Sequence, residues 1–167
     1  MSEHSTPRAV IELVRAAFAG VARGRMTVHE AEAWDSYGTE AELREARKRD
    51  PETDWTEVEP RSIAECTTAL SHLDRDGWRF YLPAYMVWTI EHVEANSIVI
   101  DHTIYSLDLI DDDGELRAYQ MERFESLSEA QSRAACWFLR YMATREDRCD
   151  AGAAQRAIEA YWGRFDR

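Results

Sequence analysis

Apolar positions recur at three- and four-residue spacing along most of the chain, the signature of helices that each bury one face. Thr6 can cap the first, Pro7 suits its first turn, and Val10, Leu13, Val14, Ala17, Phe18 and Val21 form its inward stripe. Thr27 with Glu30 is a capping-box pattern, so a second helix is predicted from Val28 to about Tyr37, stopped by Gly38. A third begins at Thr39, with Glu42 in the box position, and ends before Asp50-Pro51. It offers little apolar surface, and its Glu40/Arg44 and Glu45/Arg49 spacings suit a solvated helix. The run from Asp50 to Arg61 is predicted as a loop or single turn pinned to the core by the Trp55 indole.

Ser62 and Glu65 suggest another capping box, with Ile63, Cys66, Leu70 and Leu73 as its inner face and Asp76-Gly77 as its end. The segment Trp78 to Trp88 then crowds aromatic side chains around Pro83; exposed, it would be a large apolar patch on a polar molecule. It is predicted to be buried, with Pro83 opening a central helix to about Glu94 that is apolar all round. From Ser97 the period shifts. Tyr105, Leu107 and Leu109 alternate with polar residues, Asp111 to Gly114 is turn-rich, and Leu116 to Phe124 could return as a strand, so a short β-hairpin is predicted. Ser128 with Gln131 caps a helix to about Arg145, and a last helix starts near Asp150. The predicted fold is mainly α (α+β at most): one domain, a bundle of about six helices around the Pro83 to Glu94 helix, with one hairpin appended.

Composition narrows the function classes. The 167 residues are 45% hydrophobic and 11% aromatic, enough to bury a core without disulfides or metal. The net charge of −12 repels phosphate backbones and anionic lipid heads, which argues against nucleic acid and membrane surfaces as partners. Cys66, Cys136 and Cys149 are odd in number and stand in no C-x-x-C spacing; Cys66 and Cys136 fall on helical faces as expected of small core residues, and a cytoplasmic protein is expected. The opening Ser2, Glu3 and His4 provide no basic segment leading into an apolar run, so no leader is expected.

Candidate chemistry is sparse. His29, Glu30, Glu32 and Asp35 form the densest polar cluster, and His29 with Glu32, three apart on a helix, could share a metal or a proton. No H-E-x-x-H completes it, because position 33 is alanine; acids in a first turn also simply favour the helix dipole. Arg79, between Trp78 and Phe80, is the charge most drawn to the interior. Asp35, Asp74 and Asp76 are its candidate partners, with anion binding in a cleft as the alternative. Tyr81, Tyr85 and His92 could line a His-Tyr pocket; the plainer expectation is a core histidine with satisfied nitrogens. The Asp108 to Gly114 run fails as a calcium loop, with Leu109 and Gln120 at its two end-ligand positions. G-x-S-x-G and both glycine-rich phosphate motifs are missing.

The strings T27-x-H29-E30-A31-E32, D35-x-Y37-G38, D54-W55, A69-L70, D76-G77, R79-F80-Y81-L82-P83-A84-Y85-M86, L127-S128 and Y161-W162 together resemble a bacterial family, domain of unknown function 6714, over nearly the whole chain. The resemblance implies a self-contained bacterial domain and no particular activity, cofactor or catalytic residue. By analogy, orphan domains of this kind bind or neutralise another protein. Sequence therefore favours an acidic protein-binding protein, of the kind of an immunity or inhibitor protein that masks a basic partner, with no cofactor. The rival is a small metal-dependent or hydrolytic enzyme built on His29, Glu30 and Glu32. A structural subunit of a larger complex is a third option, for which an exposed Trp34, Trp55 or Trp162 would be the sign.

Overall fold

In the computed structural model, which describes residues 6–167, local capping decides where most helices begin. Ser2, Glu3 and His4, on which the expectation of no leader rested, lie outside the described residues. Thr6 accepts from the Ala9 amide and opens α1 (Pro7–Ala17). Reciprocal capping boxes open α2 (Val28–Asp35) from Thr27 and α3 (Glu40–Arg47) from Thr39, as the sequence predicts. The other elements are α4 (Pro60–Glu65), α5 (Ala69–His72), α6 (Arg75–Glu91), α7 (Ile98–Tyr105), α8 (Glu115–Glu125), α9 (Glu129–Ala143) and α10 (Ala151–Ala160). Short 3-10 turns cover Trp55–Glu57, Val93–Ala95 and Trp162–Phe165.

The predicted segment Trp78 to Trp88 is the middle of α6, and every one of its residues but Arg79 is buried. Helix α6 packs against α1, α4, α5, α7 and α8, so its apolar circumference has a neighbour on each side. Around it, α9 lies against α1 and α10, while α2 lies against α3 and α5. Buried apolar side chains from Val10 to Trp162 join one cluster. Trp55 is pinned as predicted, donating from its indole to the Phe18 carbonyl at 2.9 Å.

Three expectations are corrected. The described residues form ten α-helices and no strand, so the mainly α reading stands while the hairpin and the count of about six helices do not. Along 98–107 the buried positions Val99, Ile100, Thr103, Ile104 and Leu107 follow helical spacing, which the short Tyr105/Leu107/Leu109 alternation masks. Helix α8 buries Gln120 and Arg123 beside Phe124, so polar residues occupy its inner face and hide its period from a hydrophobic pattern. Both side chains bond backbone groups. Gln120 accepts from the Ile110 amide and donates to the Asp108 carbonyl, closing the loop where strands were expected.

The second correction concerns the central helix, which starts eight residues before Pro83. Asp74 caps it by accepting from the Gly77 amide at 2.8 Å, so Asp76-Gly77 is a first turn and not a stop. Pro83 therefore lies inside the helix and has no N–H to offer the carbonyl one turn back. Third, the helix predicted from Ser62 to Leu73 is two helices: Pro60 at the start of α4 displaces Ser62 as its entry, and the chain breaks at Cys66.

Candidate functional site

The predicted cluster is dispersed by the fold, each member drawn to a different partner. Glu30 returns to its cap, accepting from the Thr27 amide at 3.2 Å, and grips Arg47 of α3 with both carboxylate oxygens. Glu32 accepts from the amide and hydroxyl of Thr68, both at 3.0 Å, and so ties α2 to the entry of α5. Asp35 lies 3.3 Å from His72. The pairing of His29 with Glu32 expected from their spacing is not formed.

His29 instead points into a carboxylate clasp. Its backbone amide donates to Asp50 Oδ2 at 3.0 Å and its Nδ1 meets Asp50 Oδ1 at 2.6 Å, while Nε2 faces Glu65 Oε2 at 3.4 Å. Asp50 is 1% exposed and His29 6%. A buried carboxylate of this kind needs several donors, and the two from His29 supply them. Glu65 also accepts from Arg61 and Arg49, each at 2.7 Å. The Arg61 guanidinium first, then His29 and Arg49, hold the Glu65 carboxyl down at about 2. The clasp borders a surface cavity of about 630 Å³ together with Glu32, Ser36 and Cys66.

As chemistry, the Asp50–His29 couple has the form of a carboxylate orienting an imidazole. A nucleophile belongs at Nε2, and Glu65 occupies that position. The nearby Cys66 thiol is raised far above its ordinary value by burial and by the charges of Glu32 and Asp50, so it is held as thiol. Among the described residues no three His, Cys, Asp or Glu side chains are placed to hold a metal ion. The arrangement is a tie between the start of α2, the Asp50–Pro51 corner and the end of α4.

The second buried carboxylate, Glu52, accepts from the Tyr81 hydroxyl at 2.6 Å, and burial together with that bond pushes the Tyr81 hydroxyl well above its ordinary value. Tyr85 donates to the Cys66 carbonyl at 2.6 Å. His92 stacks on Trp88 with ring centroids 4.3 Å apart, and its Nδ1 lies 2.9 Å from the Trp88 carbonyl. Tyr81, Tyr85 and His92 thus have separate partners; both tyrosines are within the core. Sequence reasoning passed over Asp50, Glu52 and Glu65. For the first two the available signal is the acid on each side of Pro51.

Arg79 does not meet Asp35, Asp74 or Asp76. Asp35 faces His72, Asp74 caps α6, and Asp76 pairs with Arg75 at 3.2 Å. The buried guanidinium that finds acceptors is Arg123, whose terminal nitrogens donate to the carbonyls of Leu70 and Leu73 and which lies 4.4 Å over the Tyr119 ring.

The description "Family of unknown function (DUF6714)" matches residues 6–165. The chain belongs to this family. No curated protein and no solved structure matches it. Membership in DUF6714 agrees with the motifs that run from Thr27 to Trp162 and leaves the activity to the residues themselves.

Four aromatic side chains among the described residues are exposed: Trp34, Tyr37, Tyr105 and Tyr119. Trp34 is 58% exposed and Tyr37 is 96% exposed, whereas Trp55 and Trp162 are buried. Tyr37 follows the end of α2 with φ 58°, and the Gly38 amide donates back to the Ala33 carbonyl at 2.8 Å. A left-handed residue at this place is usually glycine, because a side chain there costs about 1–2 kcal/mol. The exposed acid Asp35 lies between Trp34 and Tyr37 in sequence, and the exposed Glu40 three residues after Tyr37. No helix among the described residues is long and apolar enough to cross a membrane.

Proposed function

We propose that this chain is a cytoplasmic protein-binding domain that docks on and masks a basic partner, in the manner of an immunity or inhibitor protein. The observation that carries the reading is Tyr37, a strained, almost wholly exposed aromatic beside an exposed tryptophan. Tyrosine and tryptophan are the residue types that concentrate energy at the centre of protein interfaces, because they bury much area at small entropic cost. Among the described residues nothing bonds or stacks on the Tyr37 ring, yet the backbone is held in a costly conformation to present it. Asp35 and Glu40 beside it, and the net charge of −12, favour encounter with a cationic surface. The His29 clasp lends less support to the enzymatic alternative, since both ring nitrogens face carboxylates.

The test uses immobilised wild-type protein, Trp34→Ala and Tyr37→Gly as baits for host extract at 50 and 500 mM salt, with captured proteins identified. One basic protein held by the wild type, released by salt and reduced at least tenfold with either variant is the expected outcome. Tyr37→Gly should meanwhile gain about 1 kcal/mol of stability in urea unfolding, separating a binding role from a structural one. Capture that is indifferent to both substitutions, or to salt, overturns the proposal.

A further inference from the structure

Three arginines gather at one cleft of this acidic molecule, and none of them has a carboxylate partner there. The cleft, about 480 Å³, lies between the loop after α1 and the first turns of α6 and α9, and it is lined by Arg23, Arg25, Arg79, Gln131 and Asp76. Its volume falls within the range of small-molecule sites. Asp76 is the one acid in the lining, and it pairs with Arg75.

The cations are unspent. Arg79 makes no hydrogen bond or ion pair among the described residues, and its Nε is buried without a partner. A buried Nε–H left so is costly, since that donor is neither in water nor bonded. Arg25 is exposed and likewise has no partner among the described residues. Arg23 donates only to the Glu52 carbonyl, which leaves its charge uncompensated. Gln131 is 4% exposed; its Oε1 accepts from the Ser128 amide at 3.0 Å, and its Nε2 has no partner among the described residues. A nine-tenths buried amide thus adds a free donor to the lining.

The loop is built to approach closely. A Cβ at Gly24 would lie 2.6 Å from the Gly77 amide nitrogen, so glycine lets this backbone press on the first turn of α6. That turn is the positive end of a 17-residue helix.

We propose that this cleft binds an oxyanion of the phosphate class, free or as a small phosphomonoester, with Arg79 and Arg25 as its principal ligands and Gln131 as a neutral donor. Three guanidiniums against one carboxylate leave two positive charges, which match a phosphate dianion better than a carboxylate monoanion. The lining holds no aromatic ring on which a base could stack, so the group carried by the phosphate is small and polar. The proposal is independent of the protein-binding reading, which rests on the opposite charge and on other residues.

Isothermal titration with inorganic phosphate and with glycerol 3-phosphate, at ionic strength held constant with sodium chloride, tests it, with sodium acetate as the control. Submillimolar binding of at least one phosphate compound, absent for acetate and weakened at least tenfold by Arg25→Gln and by Arg79→Gln, is the expected result. The distant, exposed Arg8→Gln should bind as the wild type does. Arg25 lies on an exposed loop, so its variant keeps the fold and stays informative if Arg79→Gln unfolds. Failure of both phosphate compounds to bind at 10 mM, or equal binding by wild type and Arg25→Gln, overturns the proposal. Tighter binding of the ester than of inorganic phosphate would identify the source as a metabolite.

Discussion

Asp50 is the residue on which the polar interior turns. It stands three residues past the end of α3, before a proline, and its carboxylate serves both the His29 amide and the His29 ring. Removing it leaves two buried donors without an acceptor, and breaking one side of a buried pair costs several kcal/mol. Asp50→Ala should therefore lose about 3 kcal/mol in urea unfolding followed by tryptophan fluorescence; a loss under about 1 kcal/mol would show that water replaces the clasp. Glu65 adds a pH dependence to the same tie. Its carboxyl is held down at about 2 in the fold, against 4.5 ordinarily. A group depressed on folding stabilises above its unfolded value and loses that contribution as pH falls through the folded one. Stability should thus drop between about pH 4.5 and pH 2, and Glu65→Gln should flatten that part of the profile measured by thermal unfolding.

Among the elements, α8 shows why a helix can escape a hydrophobic pattern. Its inner face carries Gln120 and Arg123 because both serve backbone groups: Gln120 clasps the Asp108–Ile110 loop and Arg123 gathers the carbonyls at the end of α5. Read as apolar periodicity, Leu116, Met121 and Phe124 give no consistent helical stripe. Gln120→Leu keeps the volume and removes both loop bonds, leaving the Ile110 amide and Asp108 carbonyl open. The loop should then lose hydrogen-exchange protection at Ile110 with a global cost of about 1 kcal/mol; unchanged protection would mean that the clasp does not hold the loop. Helices opened by a local cap were legible in the chain: Thr27, Thr39 and Ser128 each make the box that their spacing predicts. Ser62 did not, because Pro60 two residues earlier already suits a first turn.

At the scale of the whole molecule, α6 converts a list of short helices into one core. Its aromatic face meets Phe124 through Trp78, and Phe124 meets Trp162 at 4.6 Å between ring centroids, so the centre is joined to the C-terminal turn. Trp162 is fully buried and donates to the Leu107 carbonyl at 2.8 Å. Trp162→Ala should cost about 3–5 kcal/mol and lower the midpoint of one cooperative transition, read together by far-UV dichroism and fluorescence. Two separated transitions would mean that the region around α7, α8 and α10 melts apart from α6.

Sequence alone determined the mainly helical class, the burial of the Trp78 to Trp88 segment and the capped starts of α1, α2, α3 and α9, because caps and amphipathic spacing are local physics. It also determined that His29, Glu30, Glu32 and Asp35 lie close along one helix. Only the tertiary structure decided that each of them faces a different partner, that Asp50 and Glu52 turn inward from a loop, that Tyr37 turns outward, and that Arg23, Arg25 and Arg79 share a cleft. Those outcomes depend on which distant backbone donors and acceptors must be satisfied once helices pack, and no spacing within a single segment encodes that.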